Sequence, residues 1–136
     1  MKAKKIDHVG IVVRDLGAAV ATFEANFGFE ADPARGGDVS AMGIRNAFIP
    51  VGESDLELFE STASEGPVAR FAQERGEGLF MVSIEVEDVA GAVAHLRGLG
   101  SRVTDPSPAG VAYVSMKSTH GVNLHLVQRS QGPAGG

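Results

Sequence analysis

Ile6-Asp7-His8-Val9-Gly10-Ile11-Val12-Val13-Arg14-Asp15-Leu16 decides the fold, because the chain writes it twice. It returns as Leu79-Phe80-Met81-Val82-Ser83-Ile84-Glu85-Val86-Glu87-Asp88-Val89, with Val13 matching Val86, Asp15 matching Asp88 and His8 matching Met81, each pair 73 positions apart. Ala18-Ala19-Val20-Ala21-Thr22-Phe23 aligns with Gly91-Ala92-Val93-Ala94-His95-Leu96 at the same offset. A period this long, present twice, describes a duplicated module inside one small domain, not a solenoid of short repeats.

Each copy reads as strand, helix and three further strands. In the first, residues 6–13 are β-branched and apolar, as a strand requires. Asp15 caps a helix whose face is Ala18, Ala19, Phe23 and Phe27, and Gly28 ends it. A strand is expected to begin at Phe29, followed by a loop over 32–37. Strands are expected at 44–51 and 56–59, across a turn at 52–55. Pro67 opens a short helix that runs to Glu74. In the second copy, residues 79–86 form the strand. Asp88 caps a helix with Val89, Val93, Leu96 and Leu99 on one buried stripe. Extended chain follows at 102–104, 111–116 and 122–128. The expected architecture is α+β: a single domain over 1–136, built from two βαβββ modules (about 6–60 and 79–128) that form a curved mixed sheet around a cleft. Residues 129–136 read as a flexible tail.

Composition narrows the function. A net charge of −5 argues against a nucleic-acid binder, which would carry a basic face. The absence of cysteine rules out a disulfide framework, a thiolate metal site and a thiol nucleophile. No apolar run approaches the roughly 20 residues of a membrane span, and no signal-peptide core follows Met1-Lys2-Ala3-Lys4-Lys5. The expected location is therefore cytoplasmic and the expected partner a small molecule, with neither nucleic acid nor membrane.

Polar residues inside apolar strands carry the chemistry. An ionised glutamate in a buried strand is costly unless it is paired or bound to a metal. His8 sits between Asp7 and Val9, Glu57 between Leu56 and Leu58, and His125 between Leu124 and Leu126. The repeat relates Leu-Glu-Leu at 56–58 to Leu-His-Leu at 124–126, so His8, Glu57, Met81 and His125 are expected to face a common centre. Two imidazoles and one carboxylate suit a divalent first-row metal with open positions. Met81, a poor ligand for hard cations, fills core space or lines the cleft. Asn46, inside another apolar strand, is expected to point into the cleft, where it can donate a hydrogen bond but not act as a base. Phe48 and His120 complete the expected cleft lining. His95 lies off its helix's apolar stripe and is expected to be exposed.

With these positions in view, the sequence resembles the vicinal oxygen chelate superfamily, the group of glyoxalase I and bleomycin-resistance proteins, and within it the methylmalonyl-CoA epimerases. The resemblance rests on residues 6–13 with Asp15-Leu16, Phe48-Ile49-Pro50-Val51-Gly52, Leu56-Glu57-Leu58-Phe59-Glu60, Pro67-Val68-Ala69-Arg70-Phe71, Arg75-Gly76-Glu77-Gly78-Leu79 and Lys117-Ser118-Thr119-His120-Gly121-Val122. It implies paired βαβββ modules around a metal cleft, a homodimer, and a divalent ion (Co, Zn, Ni, Mn or Fe) that stabilises an enolate while the α-proton moves. His8 matches the family's ligand unchanged. The family's second first-strand ligand is a histidine where this chain has Met81, and its last-strand ligand is a glutamate where this chain has His125. The carboxylate base of some epimerases falls near Asn46, and Glu57 stands where relatives carry Gln or Glu.

Three functions follow as expectations. The first is a metal-dependent epimerase or glyoxalase-like enzyme, an isomerase or lyase acting beside a carbonyl, with an acyl-CoA thioester such as methylmalonyl-CoA as substrate. His8, Glu57 and His125 would hold the metal, and Glu57 or His125 would move the proton. The second is a metal-free small-molecule binder of the drug-sequestering kind. The third is an Fe(II) oxygenase using two histidines and one carboxylate.

Overall fold

The computed structural model describes residues 1–129. Its elements run β1 (Ala3–Val12), α1 (Leu16–Phe27), β2 (Gly37–Val39), β3 (Ile44–Val51), β4 (Ser54–Ser61), α2 (Pro67–Arg75), β5 (Gly78–Val86), α3 (Val89–Gly98), β6 (Val111–Val114) and β7 (Leu124–Val127), with short 3-10 turns at Ser40–Met42 and Met116–Ser118. The class is α+β. The chain divides into two compact units, His8–Phe80 and residues 1–7 with 81–129. Each has its own core and strands paired in both senses. No described helix is long and apolar enough to cross a membrane.

In the unit His8–Phe80, β3 and β4 form an antiparallel hairpin in which Val51 pairs with Ser54, leaving Gly52 and Glu53 as the turn. Gly52 takes φ 59°, the left-handed conformation such a turn needs. Residues 8–12 of β1 lie parallel to β4, with Gly10 opposite Glu57. Alternation then sorts the side chains. On one face, Leu16, Ala19, Val20 and Phe23 of α1 cover Ile11, Val13, Ile49 and Leu58. On the other, α2 brings Val68, Phe71 and Ala72 against Val12, Ile44 and Phe59. Asp15 caps α1 by accepting from Ala18 N at 3.0 Å, and Gly28 closes it at φ 71°.

Three expectations change here. Phe27 is 59 % exposed and stacks on Phe29 at 5.4 Å, because α1 runs a turn past the apolar residues it covers. Phe29 starts no strand. The strand forms later, at Gly37–Val39, where Gly36 and Gly37 adopt positive φ and deliver the chain to the edge of β3. Asp38 and Arg45, opposite each other in that pairing, close an ion pair at 2.9 Å. The turn after β3 is also shorter than 52–55, since β4 already begins at Ser54.

In the second unit, β7 runs parallel to β5 and antiparallel to β6. Val89, Ala92 and Val93 of α3 pack on Val86, Ala112, Val114 and Leu126. Asp88 caps α3 by accepting from Gly91 N at 3.1 Å. Leu99 is 72 % exposed: it sits at the C-cap, beyond the buried stripe, which Ala92 completes instead. Residues 102–104 supply only the single bridge Val103–Val114. β6 stops at Val114 because Ser115 turns the chain, its Oγ accepting from Lys117 N. Arg129 is not a loose tail residue. Its Nε donates to Asp7 Oδ1 at 3.0 Å, and its Nη2 pairs with Asp7 Oδ2. The rest of the expected tail, 130–136, lies outside the described residues.

Candidate functional site

The face of the His8–Phe80 unit opposite α1 gathers the polar residues. β1 presents His8, Gly10 and Val12 to it. β4 presents Asp55, Glu57 and Phe59, and β3 presents Ile44, Asn46 and Phe48. This is the period-two outcome of the pairings Gly10–Glu57 and Phe48–Glu57. His8 Nε2 stands 3.4 Å from Glu57 Oε1, with side-chain exposures of 17 % and 14 %. The other carboxylate oxygen, Oε2, accepts from Asn46 Nδ2 at 2.8 Å. Asn46 is buried, and its Oδ1 has no hydrogen-bond partner in the protein. Glu57 is therefore held from two sides, by an imidazole and by an amide.

A charged network stands beside this group. Arg35 reaches both oxygens of Asp55 at 2.7 and 2.9 Å and Asp32 Oδ2 at 2.9 Å, with its guanidinium 4.8 Å over the Phe48 ring. Asp55 is the strand partner of His8. The backbone N–H of Ala34 and the Arg35 guanidinium hold the Asp32 carboxyl below its ordinary range. Asp55, ahead of Asp32, pushes Arg35 upward. Phe48 is thus pinned as well as half-buried.

The other expected residues lie in the second unit. Met81 is buried on β5. His125, on β7, is the strand partner of both Ser83 and Tyr113 and meets the Tyr113 ring edge-on at 4.5 Å. His120 is exposed at φ 57°, in the turn before β7. His95 is exposed, as expected. Imidazole and carboxylate at the His8–Glu57 distance fit two positions of a divalent-metal donor set. Among the described residues, no group of three or more His, Asp or Glu side chains is gathered to hold an ion.

His8, Glu57 and Asn46 are legible in the sequence as site residues, but the bond between the last two is seen only in the structure. Its signal was available: a two-residue hairpin turn fixes Asn46 diagonally across from Glu57. An open pocket of about 530 Å³ lies elsewhere, on the α1 face, between Leu16, Val20, Ala31 and Ala47. Its carboxylates serve the fold: Glu60 accepts from Leu16 N at 2.8 Å and Glu24 from Ala31 N at 3.2 Å.

A duplicated order of elements with a His–Glu pair on adjacent parallel strands places the protein among known folds. The chain belongs to the glyoxalase-like domain family, whose model matches residues 6–124, and so to the vicinal oxygen chelate superfamily. The relatives it resembles are epimerases. The ethylmalonyl-CoA/methylmalonyl-CoA epimerase of Cereibacter sphaeroides is 30% identical over 100 residues, 73% of each chain. A methylmalonyl-CoA epimerase solved in complex with methylmalonyl-CoA and NH4+ superposes with a TM-score of 0.85 at 28% identity, covering 95% of this chain and 96% of that one. A variant of the Streptomyces coelicolor methylmalonyl-CoA epimerase, in complex with 2-nitronate-propionyl-CoA, gives 0.84 at 28% identity, covering 95% and 96%.

Proposed function

We propose that this protein is an epimerase that moves the proton on the carbon beside the thioester carbonyl of an acyl-CoA, with methylmalonyl-CoA as the model substrate. The observation that carries the proposal is Glu57, a largely buried carboxylate set between His8 and Asn46. Such a group, shielded from water and fixed in direction, is suited to accept a proton from carbon. The similarity to epimerases solved with acyl-CoA ligands supports the substrate class.

The chain's own residues divide the work. Glu57 takes the α-proton, and the C–H electron pair moves onto the thioester oxygen as an enolate. His8 faces the same carboxylate and fixes its inner side. Phe48, under the Arg35 guanidinium, supplies a rigid apolar wall. A divalent ion, when bound, would supply Lewis-acid stabilisation of the enolate charge. His8 and Glu57 would hold it. A homodimer is part of the same proposal, on family grounds.

The test is solvent exchange. Methylmalonyl-CoA incubated with the protein and divalent metal in deuterium oxide is expected to take up deuterium at the α-carbon, followed by mass spectrometry. Glu57→Gln is expected to lower the rate at least 100-fold, within the range general-base removal produces. Absence of exchange with methylmalonyl-, ethylmalonyl- and propionyl-CoA alike would overturn the proposal.

A further inference from the structure

We propose that the pocket on the α1 face of the His8–Phe80 unit is a second binding site, and that it takes a primary ammonium carried on a small apolar body. It lies on the opposite face of β3 and β4 from Asn46 and Glu57, so the proposal stands apart from the epimerase reading.

Small side chains make the space. Between α1 and β3 the lining residues are Ala21 on the helix and Ala47 on the strand, with Ala31 on the segment that returns from the helix. None reaches far enough to fill the gap, and about 530 Å³ is left beside Leu16 and Val20. Small-molecule sites span roughly 300–1,000 Å³.

Charge selects the ligand. The lining holds four carboxylates, Asp15, Glu24, Asp32 and Glu60, against two guanidiniums, Arg35 and Arg45. Both guanidiniums are already bonded, Arg35 to Asp32 and Asp55 and Arg45 to Asp38. Neither is left to receive an anion. The surrounding unit adds to the bias, since residues 8–80 carry 12 acidic and 5 basic side chains. A cation is therefore drawn to this pocket and an anion turned away.

The carboxylates are aimed in advance. Asp15 Oδ1 accepts from Ala18 N at 3.0 Å, Glu60 Oε1 from Leu16 N at 2.8 Å and Glu24 Oε2 from Ala31 N at 3.2 Å. The fold thus uses one oxygen of each. The second oxygen of Glu60 has Arg45 at 3.7 Å, beyond hydrogen-bond reach. The second oxygen of Glu24 has no partner among the described residues.

Glu24 is the anchor. It stands in the last turn of α1, where the carbonyl end of the helix carries partial negative charge, and that turn holds no basic residue. A carboxylate is unfavourable there until a cation joins it. An ammonium, whose N–H groups are donors only, supplies that cation at the free Glu24 oxygen. Val20, one turn back on the same side of the helix, meets the apolar body.

Titration of the full-length, 15N-labelled protein with benzylamine tests this, with benzyl alcohol and benzoate as the neutral and anionic matches. Benzylamine is expected to shift the amide signals of Val20, Ala31 and Ala47 saturably. Benzyl alcohol is expected to bind about 10-fold more weakly, for want of a charge-assisted hydrogen bond, and benzoate to leave those signals in place. Glu24→Gln keeps an acceptor for Ala31 N but drops the charge. It is expected to weaken benzylamine about 10-fold and to leave benzyl alcohol unchanged. Ala21→Leu, at an exposed helix position, is expected to fill the pocket and abolish both. Equal binding of amine and alcohol overturns the proposal, as does a Glu24→Gln variant that holds benzylamine as tightly as the wild type. Absence of saturable shifts at the three residues overturns it as well.

Discussion

Asp7 and Arg129, 122 positions apart in the chain, form a two-pronged ion pair in which the carboxylate is buried and the guanidinium half-exposed. The pair ties the first strand to the last described residue within one unit. Fork-to-carboxylate geometry of this kind is the stronger form of ion pair.

Arg129→Ala is expected to destabilise the protein by about 1–3 kcal/mol, because it takes the guanidinium from a carboxylate that remains buried. Chemical denaturation with unchanged m-value checks it. A change below about 0.5 kcal/mol would show that the exposed half of the pair contributes little.

Gly36→Ala should cost about 2 kcal/mol or more, since φ is 102° and the new Cβ would meet the Asn46 carbonyl oxygen at 2.7 Å. Gly52→Asn is the control. Its φ of 59° suits asparagine and nothing lies within 4 Å, so a loss under about 1 kcal/mol is expected. Thermal melts of the two variants compare them directly.

Asp32 makes a prediction about acid. In the folded state its carboxyl is held below the ordinary aspartate range, by the Ala34 N–H first and Arg35 second. A depressed carboxylate stabilises the fold fully above its unfolded pKa and loses that contribution as pH falls through the folded one. The Tm difference between wild type and Asp32→Asn should therefore be constant above about pH 5 and shrink below about pH 4. A gap that widens on acidification would contradict the assignment.

His8→Ala should abolish exchange while leaving the fold nearly intact, since His8 belongs to none of the apolar clusters of its unit. Elemental analysis of wild type and variant after exposure to Co2+ or Zn2+ adds a readout free of turnover. The wild type is expected to retain the ion and His8→Ala to lose it.

Much of this was legible in the sequence, and what was not has a common cause. The caps at Asp15 and Asp88 and the stop at Gly28 are local, within a few residues of what they bond, and the structure uses all three. His8 and Glu57 stood out because charge inside apolar strands is conspicuous. Asp7, next to His8, carries no such local sign, because its partner Arg129 lies at the far end of the described chain. β2 is hidden from the sequence for a related reason: Gly36-Gly37 reads as loop, and only the pairing with β3 makes it the approach to a strand. Phe27 and Leu99 show the limit of periodicity, which fixes a helix's face but not where the neighbouring sheet ends.

The hairpin turn at Gly52-Glu53 governs a distance it does not touch. Asn46 and Glu57 sit on opposite arms of that hairpin, and their phase is counted from its tip. One residue inserted there would slide β4 by a step and turn Glu57 toward the α1 face, though every site residue would be unchanged. Two inserted residues would restore the face but offer Glu57 a different neighbour along β3. A surface loop thus sets which side chain the carboxylate answers to. In sequences built on this plan, the length of that loop would separate those that keep an amide beside the acid from those that have exchanged it.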